Sequence, residues 1–221
     1  MGIRTVGVAL CLLLSAPRVL AMCPYPTPKA CSAFFESDAV FVGTVLSRQY
    51  CDNDEYIRFA VRVSRVLRGS VGASADVYTA NDSARLPWEI GKEYVVFARL
   101  RRGRLESGDD CGPLSSPGRA AEIIGQIEEL RGDESAWIEG EVRSSAPEGA
   151  GVADVLVRAR DGGKTFNATT DSRGAFRLRV PLGHYQILVD PKLRTSDYNW
   201  YNLDDINLVR GQCAQLQLVP R

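Results

Sequence analysis

The residue types that ordinarily do chemistry are sparse in this chain. It holds one histidine, His184, in a turn ahead of a strand pattern, where a solvated turn residue is the expected role and general-base work is not. Adjacent carboxylates stand at Asp109-Asp110 and Asp204-Asp205. Neighbouring acids of this kind mark polar loops, whereas glycoside hydrolysis needs two carboxyl groups facing each other across a cleft. Asp52-Asn53-Asp54-Glu55 offers oxygen donors but lacks the glycine and the terminal glutamate of a hand-type calcium loop. There is no Gly-x-Ser-x-Gly elbow, no His-Glu-x-x-His and no phosphate-binding glycine loop. The expectation is a protein with no catalytic residues, no metal site and no cofactor.

Cysteine is the remaining reactive type, and its use depends on the compartment. Residues 1–21 begin with Arg4, continue through an apolar run over 6–14 and close on Val19-Leu20-Ala21, with small residues where signal peptidase reads them. They read as a secretory signal. Pro17 and Arg18 interrupt the run well short of the roughly 20 apolar residues a spanning helix needs, and no later segment approaches that length. Leu20-Ala21-Met22 ahead of Cys23 leaves a lipid anchor at Cys23 open, against which Met22 argues by its size. Removing the signal takes Cys11 with it and leaves Cys23, Cys31, Cys51, Cys111 and Cys213, an odd number bound for an oxidising compartment. None forms a Cys-x-x-Cys pair, so disulfides are expected and zinc is not. The expected bridge joins Cys31 to Cys111, tying the approach to the first strand to the segment after the fifth.

The elements that must position these residues are strands. The chain has 221 residues, 24 % charged and 45 % hydrophobic, with no formal net charge, which permits one large or two small domains and gives no electrostatic reason to expect nucleic acid. Residues 22–29 carry three prolines and read as an extended tether. Ala39, Val40, Phe41, Val42, Thr44, Val45 and Leu46 suit a strand buried on both faces, with Gly43 marking a bulge or bend. Ile57, Phe59, Val61 and Val63 alternate with polar or small residues, and 75–79, 94–98 and 104–107 complete five short strands, which fit a closed barrel of the OB type. Ala120, Ile123, Ile124, Ile127 and Leu130 recur at helical spacing and predict a helix that covers the barrel, its polar side carrying Glu122, Glu128 and Glu129. After a short polar linker the period returns to two. Seven strand candidates follow, at 137–143, 155–159, 165–170, 175–180, 185–189, 206–209 and 214–219, and predict a β-sandwich. The expected class is therefore mainly β: a five-stranded OB-type barrel with a covering C-terminal helix over 22–132, then a seven-stranded sandwich over 133–221, of which Ser135 to Arg221 is expected to fold alone.

Two family resemblances run beside this reading. Cys31-Ser32-Ala33-Phe34, then Asp38-Ala39-Val40-Phe41-Val42-Gly43-Thr44-Val45, then Gly91-Lys92-Glu93-Tyr94-Val95-Val96-Phe97-Ala98 resembles the netrin-like domain of tissue inhibitors of metalloproteinases and their bacterial relatives. The resemblance covers about half of the chain, a domain of ordinary size. It implies an OB-type barrel and an N-terminal cysteine segment, here Cys23 and Pro24, whose free amine and carbonyl would chelate an enzyme's zinc. Cleavage after Ala21 leaves Met22 in front of Cys23, however, so that nitrogen becomes an amide with no lone pair for a metal. Arg85-Leu86-Pro87 also stands where relatives carry the cysteine that anchors this segment. Inhibition by that route is not expected.

Ile138-Glu139-Gly140-Glu141-Val142, then Gly151-Val152, Thr170-Asp171-Ser172-Arg173-Gly174-Ala175-Phe176 and Gly183-His184-Tyr185 resembles the regulatory sandwich of carboxypeptidases, which implies an accessory module without catalysis. Read physically, Gly174 permits a turn while Phe176 and Tyr185 point into the sandwich. Arg131-Gly132-Asp133 is explained by a helix end and turn, and Asn81-Asp82-Ser83 and Asn167-Ala168-Thr169 are glycosylation sequons whose use depends on the host. Tyr198, Trp200 and Tyr201, interleaved with Asn199 and Asn202, either fold back to plug the end of the sandwich or make the candidate partner-binding loop, suited to stack on a sugar or hold a protein. The expected role is a secreted or periplasmic binding module for an extracellular protein or polysaccharide. The alternative is metalloproteinase inhibition through Cys23 and Pro24.

Overall fold

The computed structural model describes residues 29–82, 85–108, 117–130, 135–145, 149–189, 193–195, 203, 205–209 and 212–220. The expected signal over 1–21, Cys23, Pro24, Cys111, Asp109-Asp110, the Arg131-Gly132-Asp133 linker and the aromatics Tyr198, Trp200 and Tyr201 lie outside the described residues. No described helix is long and apolar enough to cross a membrane. The chain is mainly β, as its alternating patterns require.

Strands β1 (Ala39–Cys51), β2 (Tyr56–Arg68), β3 (Ser74–Ala80), β4 (Glu93–Arg101) and β5 (Arg104–Ser107) close into a barrel in the order β1-β2-β3-β5-β4. All neighbours are antiparallel except β3 and β5, which run parallel. β1 explains the closure. Ala39, Phe41 and Val45 face the barrel interior with Phe59, Val61, Tyr94 and Val96, while Val40 and Val42 face outward against helices. Each of these valines and phenylalanines, fully buried, contributes about 1.5–3 kcal/mol. The register shifts between Val42 and Gly43, where a Cβ would stand 2.5 Å from Val61 Cγ1 and 2.9 Å from the Arg62 carbonyl oxygen, so the expected bend at Gly43 has a steric cause. Trp88 plugs the barrel between Phe59 and Tyr94, at ring separations of 5.2 and 5.3 Å.

Both β1 and β2 run to 13 residues, longer than their apolar patterns. Leu46, expected in the run buried on both faces, is 48 % exposed and sits at a register shift between Val45 and Ser47; residues 47–50 are exposed too, so the ladder to β2 holds them and no buried face announces them in the sequence. Helix α1 (Ala30–Glu36) is a further departure, since no helix was expected there. At seven residues it is too short to show a period and too short to stand alone in water; burial of Ala30, Cys31, Ser32 and Phe34 holds it. Helix α2 (Ala120–Leu130) follows a single 3-10 turn, Pro117–Arg119, and buries Ile123, Ile127 and Leu130 against α1 and the outer face of the barrel, as its stripe predicts.

The second half contributes β6 (Ala136–Val142), β7 (Leu156–Asp161), β8 (Lys164–Thr169), β9 (Ala175–Val180), β10 (Gly183–Leu188), β11 (Leu193–Thr195), β12 (Ile206–Leu208) and β13 (Cys213–Pro220). Two four-stranded sheets, ordered β12-β10-β7-β8 and β11-β13-β6-β9, share one apolar core that includes Ile138, Val157, Phe176, Tyr185, Ile206 and Leu216. The expected count of seven is one short. β11 has only three residues and pairs with the end of β13, too little for an alternating pattern to reveal.

The expected Cys31–Cys111 bridge is corrected. Cys31 is bonded to Cys213, 182 positions away, with the two Cα atoms 5.9 Å apart, and Cys51 is a free thiol. The reason is where α1 lies. It packs between the barrel and the start of β13, which brings Cys31 to a cysteine of the second half of the chain.

Candidate functional site

Among the described residues, two places collect polar side chains into a candidate site. The first is a seam on the outer face of the β13-β6-β9 sheet, and strand period builds it. In β6, Ala136, Ile138 and Val142 enter the sandwich core, which leaves Trp137, Glu139 and Glu141 on the opposite face. In β13, Ala214, Leu216 and Leu218 enter that core and leave Cys213, Gln215 and Gln217 on the same outer face. Cys213 pairs in register with Trp137, and Gln215 with Glu139. Arg177 of β9 completes the row beside Glu139.

Helix α1 covers this face. The Gln215 amide oxygen accepts from the Ser32 hydroxyl at 2.8 Å and from the Lys29 backbone N–H at 3.2 Å. The Lys29 ammonium meets Glu141 at 3.2 Å and donates to the Gly140 carbonyl at 3.3 Å. Helix α2 adds a bracket on each side, Glu128 to Arg65 of the barrel and Glu129 to Arg177 of the sandwich, both at 2.6 Å. These last two pairs are exposed and each is worth at most about 1 kcal/mol. The Cys31–Cys213 bridge and the buried Gln215 contacts therefore hold the seam more than its ion pairs do.

Glu139 is the unusual member. It is 6 % exposed, its Oε1 lacks a hydrogen-bond partner, and its Oε2 stands 3.7 Å from Arg177 Nε, which also lacks one. Arg177 instead stacks its guanidinium 4.0 Å from the Trp137 ring centroid. A carboxylate oxygen of Glu139 and the sulfurs of Cys31 and Cys213 all lie within 4.8 Å of one another. Burial, opposed by Lys29 and Arg177, pushes the Glu139 carboxyl above the usual range. Burial also pushes Glu141 up, but Lys29 and Arg143 together outweigh it and hold that carboxyl below the usual range.

The Glu139 displacement carries a pH prediction. A carboxyl that binds its proton more tightly when folded gives stability that is complete below the unfolded pKa and is lost as pH rises through the folded one. Relative to E139Q, the wild-type protein should lose stability as pH is raised above the ordinary glutamate pKa of about 4.3. Urea midpoints across that rise measure it, and parallel profiles for the two proteins would refute it.

The second place is an open pocket on the outer face of the other sheet, lined by Arg160, Gly162, His184, Tyr185, Gln186 and Asp205. His184 Nδ1 lies 3.4 Å from Asp205 Oδ1 with both side chains about two-thirds exposed (67 % and 71 %), so water screens the pair. Burial and then the Asp161 carboxylate push the Tyr185 phenol up, keeping it a neutral donor to the Pro181 carbonyl at 2.8 Å. The Asp52-Asn53-Asp54-Glu55 turn spends its first carboxylate on Arg104 at 2.5 Å. Asp171 accepts the backbone N–H groups of Arg173 and Ala175 at 2.8 and 2.9 Å, and Phe176 and Tyr185 are buried, so the Asp-x-x-Gly-x-Phe element has the folding role read from its residues.

The sequence reading missed Glu139, Arg177 and Gln215 as a group. A signal existed: the polar face of 213–217 carries a cysteine and two glutamines where a wet strand face would carry charges. No protein-family model matches the chain, and no curated protein matches it.

Proposed function

We propose that this is a secreted, non-catalytic binding module, a netrin-like barrel of the OB type followed by a carboxypeptidase-regulatory-like sandwich, that contacts a protein or polysaccharide at the cell exterior. The barrel order β1-β2-β3-β5-β4 with its one parallel pair supports the OB reading. The observation that carries the binding role is the pocket of Arg160, His184, Gln186 and Asp205, an exposed cation, imidazole, amide and carboxylate converging on one sheet face. Such a set offers donors and acceptors to hydroxyl or peptide groups without a buried base to activate them. Asp205 follows the stretch that carries Tyr198, Trp200 and Tyr201 by four residues, and the Leu203 carbonyl accepts from Ile187 N–H at 2.7 Å, which ties the end of that stretch to the strand that lines the pocket.

The test is binding of the full secreted protein to arrays of glycans and of immobilised extracellular proteins. A partner should be found whose affinity drops about tenfold or more, some 1.4 kcal/mol, in R160A/Q186A and again in W200A/Y201A. A partner that ignores both changes would place recognition elsewhere. Tight, chelation-dependent inhibition in a parallel titration against zinc proteases would move the assignment to the Cys23 and Pro24 segment.

A further inference from the structure

We infer that Cys31, Cys213 and Glu139 form a thiolate and carboxylate site for a divalent cation of the zinc type, closed while the disulfide is intact and opened by its reduction. Three observations carry this. The donor atoms, two sulfurs and one carboxylate oxygen, already lie within 4.8 Å of one another and all three residues are buried. A tetrahedral zinc with bonds of about 2.3 Å to sulfur and about 2.0 Å to oxygen needs donor separations of about 3.5–3.8 Å. Freeing the sulfur–sulfur bond lets the two sulfurs part to that spacing with Glu139 already in range.

The second observation is the orphaned carboxylate. Glu139 Oε1 is enclosed without a hydrogen-bond partner, a costly arrangement for a polar group that a metal bond would relieve. The third is charge. Two thiolates and a carboxylate bring three negative charges to a divalent ion, leaving one in excess, and Arg177 faces it 3.7 Å from Glu139. Lys29 is occupied with Glu141 on the adjoining part of the seam. The donors come from three different elements, α1, β13 and β6, so the site exists only in the folded chain.

The chemistry balances. A phosphine delivers two electrons to the disulfide and leaves as its oxide, water giving its oxygen to phosphorus and its two protons to the thiolates; a dithiol gives both electrons and both protons and closes to a cyclic disulfide. Metal binding then releases the two thiol protons, and that of the carboxyl where it carries one. Sulfur with one oxygen selects zinc, or cobalt as its spectroscopic stand-in, over magnesium and calcium, which take oxygen donors.

The experiment uses full-length protein carrying C51S, which removes the described free thiol. Reduced anaerobically with a phosphine, it is titrated with Co2+ while thiolate-to-metal charge-transfer and ligand-field bands are followed. One Co2+ per chain with tetrahedral bands, displaced by Zn2+ and absent before reduction, is the expected result. E139Q keeps both cysteines, and circular dichroism monitors its fold; it should weaken Co2+ at least about tenfold and shift the ligand-field bands. C31S/C213S should abolish them. Unchanged binding in E139Q, equal binding in C31S/C213S through Cys23 and Cys111, or a reduced chain that binds no cobalt would each overturn the assignment.

Discussion

Replacing Cys213 by serine should lower the free energy of unfolding by several kcal/mol, with about 5 kcal/mol as the chain-entropy ceiling for so long a closed loop. The bridge spans 182 positions, so without it the unfolded chain recovers nearly all of its freedom to separate its ends. The folded state loses as well. Cys31 and Cys213 anchor α1 against the outer face of β13, where Ser32 and Lys29 meet Gln215. C31S should match C213S, and the double variant should be no worse than either, because one bond is lost in each case. Urea midpoints of the three proteins measure this. A peptide map without reduction decides the pairing itself: the Cys31 and Cys213 peptides should travel together while Cys51 accepts an alkylating reagent. A Cys31–Cys111 peptide would reinstate the pairing expected from the sequence.

Gly174→Ala should cost about 3 kcal/mol or more through two effects at one position. The residue has φ +77°, where an alanine pays about 1–2 kcal/mol for its Cβ, and that Cβ would run into the Val142 carbonyl oxygen while standing 2.7 Å from Val152 N and 2.8 Å from Gly151 Cα. Three backbone segments meet there. Val142 N donates to the Gly174 carbonyl and Val152 N to the Val142 carbonyl, both at 2.8 Å, and no side chain is present to yield. Gly103 supplies the control, since its φ of +78° is the same and nothing lies within 4 Å of its added Cβ. G103A should lose only the conformational part, roughly 1 kcal/mol. If G174A cost no more than G103A, the close approach of Val142 and Gly174 would be wrong.

Much of the architecture could be read from residue order because period reports faces. The run from Ala39 to Val45 is apolar at consecutive positions, and the strand it forms has a barrel interior on one side and helices on the other. The stripe of Ile123, Ile127 and Leu130 became the buried face of α2. The Asp171 to Phe176 element formed its turn because its hydrogen bonds are local: the carboxylate reaches N–H groups two and four positions on. Residues 47–51 of β1, α1 and β11 were not legible. Each is held by a ladder or by contact with a distant segment and not by its own pattern.

By itself, then, the sequence determined the mainly β class, the change of character after α2, the covering helix and the sharp turn at Gly174. These rest on alternation, helical spacing and backbone sterics, which act between residues a few positions apart. Only the tertiary structure decided that Cys31 bonds to Cys213, that β3 lies parallel to β5, and that Glu139, Arg177 and Gln215 share a covered polar face. Period says which side of a strand a residue occupies but not what lies against that side. A disulfide depends on where two Cα atoms come to rest, here 5.9 Å apart, and that distance follows from the docking of α1 on β13, which no spacing along the chain encodes.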